Sequence, residues 1–472
     1  MNQTASNYPA SGWHAGLAAV DITPEEPIFL AGWSHRTEPS KGVSQRIFVK
    51  ALALRHAGER AVSVLVSSDL LAYSVEFVDE ITRIARERFG IDRARLVLCA
   101  SHSHSAPVTT NVLPMYYELT DQQAEVVQRY SDGLRDKFIE AIGRAIDDMG
   151  PATIEYGQSM AGFAINRRRY RVQGRPRPGP VDHDVPVLCI RRPLGEVRGI
   201  VFGYACHTTS VRDGKVNGDY AGFAQAELEA LYPGAVAMFI AGCGGDQGPQ
   251  PRYHEGLGQT YGHILALAVD EVIRGNSVFP SEPLVGPLGA SAGIATLYLQ
   301  PPPSREELLA MLPDRTGIRL REVQHQLARL DAGQPLITEY PYPVQVWRFG
   351  SGHTFVILSS EVVVDYALRF KQMYGFEKTW VMAYANEHIA YIPSRRVLEE
   401  GDYEGTLGMM ENGLPSPFTP DAESTIIHKI EALWYEAEPR PAPAPTIATT
   451  AAAPAKTKVS PASAAVSPAR RS

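Results

Sequence analysis

Three times in this sequence an apolar run that reads as a buried strand empties straight into a polar turn. RLVLCAS leads into His102-Ser103-His104, GIVFGYA into Cys206-His207-Thr208-Thr209, and AVAMFIAG into Cys243-Gly244-Gly245-Asp246. Loops at strand ends are where α/β proteins keep their sites, so the repetition constrains both the architecture and the place of the chemistry. Between such runs lie amphipathic stretches, which together read as a mixed, layered α/β sandwich with β-sheets flanked by helices.

The pattern predicts strand, helix, strand over 61–69, 74–90 and 95–101. A long helix is predicted from Asp121 to Met149, with Val126, Val127, Tyr130, Leu134, Phe138, Ile139, Ile142 and Ile146 on its core face. Further strands are expected at 152–157, 184–192, 197–205 and 235–242, with a helix near 257–274. Beyond Pro280 come a strand (285–297), a helix (304–312), a hairpin (343–349 and 353–359), a helix (362–373) and a strand (380–385). There is no internal repeat.

The expected organisation is a flexible N-terminus (1–12), one catalytic domain (13–438) and an Ala/Pro-rich tail (439–472) with nothing able to form a core. The first residues lack the basic start and apolar stretch of a secretory signal. No apolar run approaches the roughly 20 residues that span a bilayer, so no transmembrane segment is expected and a cytoplasmic location is. Cys99, Cys189, Cys206 and Cys243 each follow or interrupt an apolar run without forming a C-x-x-C pair, and read as small buried hydrophobes. With 45 basic and 52 acidic residues scattered along the chain, no basic face offers itself to phosphates, and nucleic acid is not an expected partner.

His102 and His104, at i and i+2 on an extended chain, point to the same side and are able to face one ligand or metal, or to form a surface pair. His207 repeats the context. The glycines around Asp246 permit close backbone approach to a ligand, or simply a tight turn. Glu361 sits between an apolar strand and the next helix, a place for a carboxylate ligand or for a helix cap.

Taken in order, the motifs resemble the N-terminal catalytic domain of the neutral/alkaline non-lysosomal ceramidase family, from the first strand to about residue 430. AGLAAVDITPEEPIFLAGW (15–33) looks like the family's opening strand and turn, and SSDLL (67–71) like its acidic strand end. SHSHSAP is similar to its T-H-T-H-S-G-P, AINRRR (164–169) to its N-R segment, and YACHTTS to its second histidine motif. GDYAG and GCGGDQGP have counterparts, and YANEHIAYIPSRRVLEEGDYEG (384–405) resembles the family's N-x-Y-x-G-Y stretch with a later Tyr-Glu-Gly.

The resemblance implies one Zn2+ per chain held by His102, His207, Glu361 and the phenolic oxygen of Tyr391. It makes His104, Arg167 and Tyr403 the groups that meet the substrate carbonyl or the developing oxyanion, with Asp246 in the glycine-rich catalytic loop. Two imidazoles, a carboxylate and a weak fourth ligand suit an open catalytic zinc site. The implied reaction is hydrolysis of a linear amide in a small or amphipathic N-acyl compound by metal-activated water. A metal-dependent esterase or lactonase, and a non-catalytic binding protein on the same scaffold, are the alternatives.

Three departures stand out. The family's G-D-V-S-P-N loop reads Gly245-Asp246-Gln247-Gly248-Pro249-Gln250, so the serine position is Gly248 and a serine-nucleophile route through that loop is excluded. Classical members continue into an immunoglobulin-like domain, where this sequence is expected to run into the tail. Glu387-His388 stands where the family more often has small or aromatic residues; His388 either faces the site or caps a turn, and the turn is the expected reading.

Overall fold

The structure is a computed structural model that describes residues 12–171 and 179–440. The stretches expected to be a flexible N-terminus and a tail lie outside the described residues, apart from Gly12, Pro439 and Arg440.

Three parallel strand pairs, each joined by a crossover helix, organise the molecule. Ser63–Ser68 pairs with Leu96–Ala100 across helix Val75–Phe89. Val197–Tyr204 pairs with Val236–Ala241 across helix Asp219–Leu231. Thr354–Ser359 pairs with Thr379–Ala385 across helix Val364–Tyr374. The first helix shows how local chemistry sets the boundaries. Ser74 accepts the Phe77 N–H at its start, and Gly90 takes the left-handed conformation (φ 68°) at its end, returning its N–H to the last turn.

These pairs belong to one large mixed sheet. Its strands run in the spatial order Leu288–Tyr298, Glu339–Phe349, Thr354–Ser359, Thr379–Ala385, Leu96–Ala100, Ser63–Ser68, Phe48–His56, Trp13–Asp21, Gly150–Met160, Asp184–Arg191, Val197–Tyr204 and Val236–Ala241. Alternate residues divide its two faces, as the strand period requires. Leu52, Leu54, Leu65, Val97, Ile190, Val201, Met238, Ile240, Trp347 and Trp380 form an inner core in which the two halves of the sheet meet. On the outer faces, Val49, Ala51, Val64, Val66, Leu96 and Leu98 pack with Ile81, Ala85, Phe138 and Ile142. Ile200, Phe202, Phe239, Val356 and Val381 pack with Leu228, Leu265, Phe370 and Ile430. The expected layered sandwich, sheet inside and helices outside, is the fold observed.

The long helix Asp121–Asp147 opens with a reciprocal Thr120/Gln123 capping box. It buries Val127, Leu134, Phe138, Ile139 and Ile142, while Val126, Tyr130 and Ile146 lie at the edge of the contact. Elements the periodicity did not signal are strand Phe48–His56 and helices Asp219–Leu231, Gly317–Asp331 and Ala422–Glu436. Asp219–Leu231 buries Tyr220, Ala221, Gly222, Ala224, Gln225 and Leu228 around much of its circumference, which erases the amphipathic stripe that marks a surface helix. All four cysteines are buried and free, in keeping with their reading as small hydrophobes. Among the described residues no helix is long and apolar enough to cross a membrane.

Candidate metal centre

The carboxyl ends of the three parallel pairs converge. His102 and His104 follow Leu96–Ala100, His207 follows Val197–Tyr204, Glu361 follows Thr354–Ser359, and Tyr391 lies beyond Thr379–Ala385. Glu361 and Tyr391 are partners in a two-residue parallel ladder, so the backbone itself brings them side by side. Thr208 Oγ1 donates to the carbonyls of Ser101 and His102 and locks the two histidine loops together.

Each of two imidazoles is held from behind. His102 Nδ1 lies 3.0 Å from the Leu71 carbonyl and His207 Nδ1 lies 2.6 Å from the Gly244 carbonyl. A proton on Nδ1 donated to a carbonyl leaves Nε2 with its lone pair turned inward, the arrangement that metal-ligating histidines adopt. Between them sits Glu361 Oε2, 3.3 Å from His102 Nε2 and 3.0 Å from His207 Nε2. The Tyr391 hydroxyl is 3.4 Å from His207 Nε2.

His102 Nε2 and Glu361 Oε2 are buried and make no hydrogen bond within the protein. Leaving buried polar atoms unpartnered costs roughly 1–3 kcal/mol each, so their convergence needs a reason. Four donors held roughly 2.0–2.1 Å from one ion at tetrahedral angles lie about 3.3 Å apart, close to the separations observed here. The residues present therefore fit a small divalent ion. His104 joins His102 and His207 in a three-histidine group whose ligand nitrogens lie within 4.8 Å of one another, a looser set than the one around Glu361.

The protonation states agree with that fit. Burial pushes the Glu361 carboxyl up, but the close approach of His102, His207 and His388 outweighs it and holds the group well below the usual carboxylate range. Burial, with the Arg167 charge nearby, lowers His207 to about 4. Burial and the two neighbouring imidazoles hold His104 well below the ordinary histidine value. At neutral pH His104 and His207 are thus neutral imidazoles and Glu361 is a carboxylate, the forms that bind metals.

Both ring nitrogens of His104 lack a hydrogen-bond partner, and its ring meets Trp33 edge-on at 5.0 Å. Gly32, with φ +84°, is required here because a Cβ would overlap the His104 ring. On the opposite side, Arg167 donates to the Gly245 carbonyl at 2.5 Å and reaches Tyr391. The Tyr403 ring lies 5.3 Å from that of Tyr391, and its hydroxyl is 2.8 Å from that of Tyr116.

The structure gathers His102, His104, His207, Glu361, Tyr391, Arg167 and Tyr403 around one point. Asp246 is placed otherwise: Oδ1 accepts the Val364 N–H at 2.8 Å and Oδ2 accepts from Asn166 at 2.8 Å. It therefore satisfies the N-terminus of helix Val364–Tyr374, and the cap reading entertained for Glu361 is corrected in its favour. Burial raises Asp246 to about 6. Gly248 leaves room for Arg167, because a Cβ there would stand 2.9 Å from Arg167 Cδ.

The expectation that His388 caps a turn is also corrected. Its Nε2 lies 3.0 Å from Glu361 Oε1, and its ring runs nearly parallel to that of His102. The signal was available, since WVMAYA running into Asn386-Glu387-His388 is a further apolar strand emptying into a histidine turn. Tyr384, whose ring centroid is 4.4 Å from that of His102, carried no such mark. Of the nine non-glycine residues with positive φ among the described residues, five (His102, Ser360, Tyr384, Asn386 and Asp402) lie in the segments that build this centre. Such backbone strain concentrates at functional sites.

Comparison with known proteins agrees with the architecture. The family profile described as neutral/alkaline non-lysosomal ceramidase, N-terminal, matches residues 13–249. The crystal structure of neutral ceramidase from Pseudomonas aeruginosa superposes with a TM-score of 0.70 at 18% identity, covering 90% of this chain and 74% of that one. A structure titled "Ceramidase complexed with C2" gives a TM-score of 0.67 at 18% identity, covering 88% and 73%. No curated protein matches the sequence.

Proposed function

Because this chain belongs to the neutral/alkaline non-lysosomal ceramidase family, we propose that it is a zinc-dependent hydrolase cleaving the linear amide of an N-acyl compound, with ceramide-like lipid amides as the substrate class. The observation that carries this reading is the buried, unpartnered Glu361 Oε2 between the Nε2 atoms of His102 and His207. Zinc would be held by His102, His207, Glu361 and Tyr391. Neutral imidazoles, one carboxylate and a phenol form a borderline-hard donor set that suits it. Bound zinc supplies Lewis acidity, polarising a carbonyl and making water acidic enough to lose a proton near neutral pH.

The protein's own groups divide the remaining work. His104 is kept neutral by burial, and of its two unpartnered nitrogens the one without a proton is free to accept a proton from the attacking water and return it to the leaving amine. Arg167 and Tyr403 flank Tyr391 and aim donors at the side where negative charge develops. Each such donor is worth about 2.7–4 kcal/mol in comparable oxyanion holes. Asp246 acts as a positioning residue, since its carbonyl accepts the Arg167 N–H at 2.8 Å and its carboxylate ties that segment to helix Val364–Tyr374.

The test is zinc content by plasma mass spectrometry for the wild type, His102→Ala and His207→Ala, together with fatty-acid release from matched N-acyl amides and esters. One zinc per chain, lost in both variants along with amide cleavage, is expected. A wild type that takes up no metal overturns the reading. Metal-dependent cleavage of esters alone would move it to an esterase, and a zinc-loaded chain inert on the whole panel would make it a binding protein.

A further inference from the structure

Glu361 has two carboxylate oxygens, and only one faces the candidate centre. Oε2 lies among the inward nitrogens of His102 and His207, whereas Oε1 lies 3.0 Å from His388 Nε2. Without a donor on Oε1, a carboxylate beside a divalent ion is able to swing and offer both oxygens. Resting on the zinc reading above, we infer that His388 is a positioning residue that holds Glu361 to one-oxygen ligation and so keeps a coordination position open for substrate and water.

The placement of His388 is itself built. Its backbone N–H donates to the Tyr73 carbonyl at 2.9 Å, two residues from the Leu71 carbonyl that orients His102. The segment 71–73 thus registers both histidines. Ser360, in the left-handed conformation (φ 67°) immediately before Glu361, donates N–H to the Glu387 carbonyl at 3.1 Å, and its Oγ accepts the Ile389 N–H at 3.0 Å. The Glu361 and His388 loops are pinned to each other on both sides of the bond between their side chains. Both side chains are about 5% exposed, so water does not compete for Oε1. Partners one step outside a metal's ligands typically change affinity about 10- to 100-fold when removed.

The experiment uses the full chain, stripped of metal, as wild type, His388→Ala and His388→Gln. Zinc affinity is read by competition with a chromophoric chelator, coordination number by the visible absorption of the cobalt-substituted protein, and folding by circular dichroism. The expected result for His388→Ala is a 10- to 100-fold loss of zinc affinity and weaker cobalt absorption per metal, the mark of a higher coordination number. His388→Gln, which keeps an N–H donor, is expected to restore both. Wild-type affinity and an unchanged cobalt spectrum in a folded His388→Ala overturn the assignment while leaving the zinc reading intact. A folded His388→Gln that fails to restore either readout overturns it too, whereas a wild type that binds neither metal overturns both.

Discussion

Two regions of this protein bury polar groups and treat them in opposite ways. Around Asp182 and Glu404 every charge is matched. Lys371 Nζ donates to both oxygens of Asp182 at 2.7 and 2.8 Å and to Asp184 at 2.6 Å. Arg168, with a fully buried side chain, donates to Glu404 at 2.9 Å, to Glu400 and to the Gly401 carbonyl. At the histidine centre His102 Nε2, Glu361 Oε2 and both ring nitrogens of His104 gather without a hydrogen-bond partner. The first pattern is scaffold, since a buried charge survives only when paired. The second is the pattern of a candidate site, because several unpartnered donors and acceptors converging on one point call for an explanation.

The comparison predicts unequal responses to mutation and to metal. Lys371→Met strands the carboxylates of Asp182 and Asp184 and is expected to cost about 3–5 kcal/mol of unfolding free energy, measured by urea denaturation at pH 7. In metal-free protein, His102→Ala should cost less, since the Glu361 carboxylate keeps its hydrogen bond to His388. If the two were equal, the distinction between scaffold and site would fail. Zinc at a hundred times its dissociation constant should stabilise the wild type by about 2.7 kcal/mol and His102→Ala or His207→Ala not at all, read as the shift in the same urea transition.

Acid sharpens the contrast on a smaller scale. In metal-free protein His207 has a folded pKa of about 4 against an ordinary 6.5. The unfolded chain therefore takes the proton first, and this contribution to stability, full above pH 6.5, is lost as pH falls toward 4. Asp246 works the other way: its folded pKa of about 6 against 3.8 means the folded chain protonates first, so stability gained at low pH is lost as pH rises through 6. The two oppose each other between pH 4 and 6. Asp246→Asn should steepen the loss of stability on acidification over that interval, each pKa unit being worth about 1.4 kcal/mol. An unchanged slope would show that Asp246 does not titrate there.

Much of this molecule was legible because its signals are local. Apolar runs of strand length, the helix read at 121–149 and the strand-to-histidine exits are set by near neighbours in sequence, and each was found within a few residues of where its pattern placed it. Helix Asp219–Leu231 was illegible for the converse reason, since a helix buried on most sides has no stripe to read. Asp246 and His388 were misjudged because a carboxylate in a glycine-rich turn and a histidine near a turn have several ordinary uses, and the choice lies with residues more than 25 positions away. Asp246 found the N-terminus of helix Val364–Tyr374, and His388 found Glu361.

What the sequence by itself determined is the layered α/β architecture, the strand ends as the place of chemistry, and a set of histidines, a glutamate and tyrosines able to serve there. Hydrophobic periodicity and turn chemistry act over a few residues and are written in order along the chain. Only the tertiary structure decided which oxygen of Glu361 turns inward, which ring nitrogen of each histidine is left bare, and that His388 stands behind the carboxylate. Those choices depend on hydrogen bonds between loops brought together by a folded sheet, and no spacing along the chain records them.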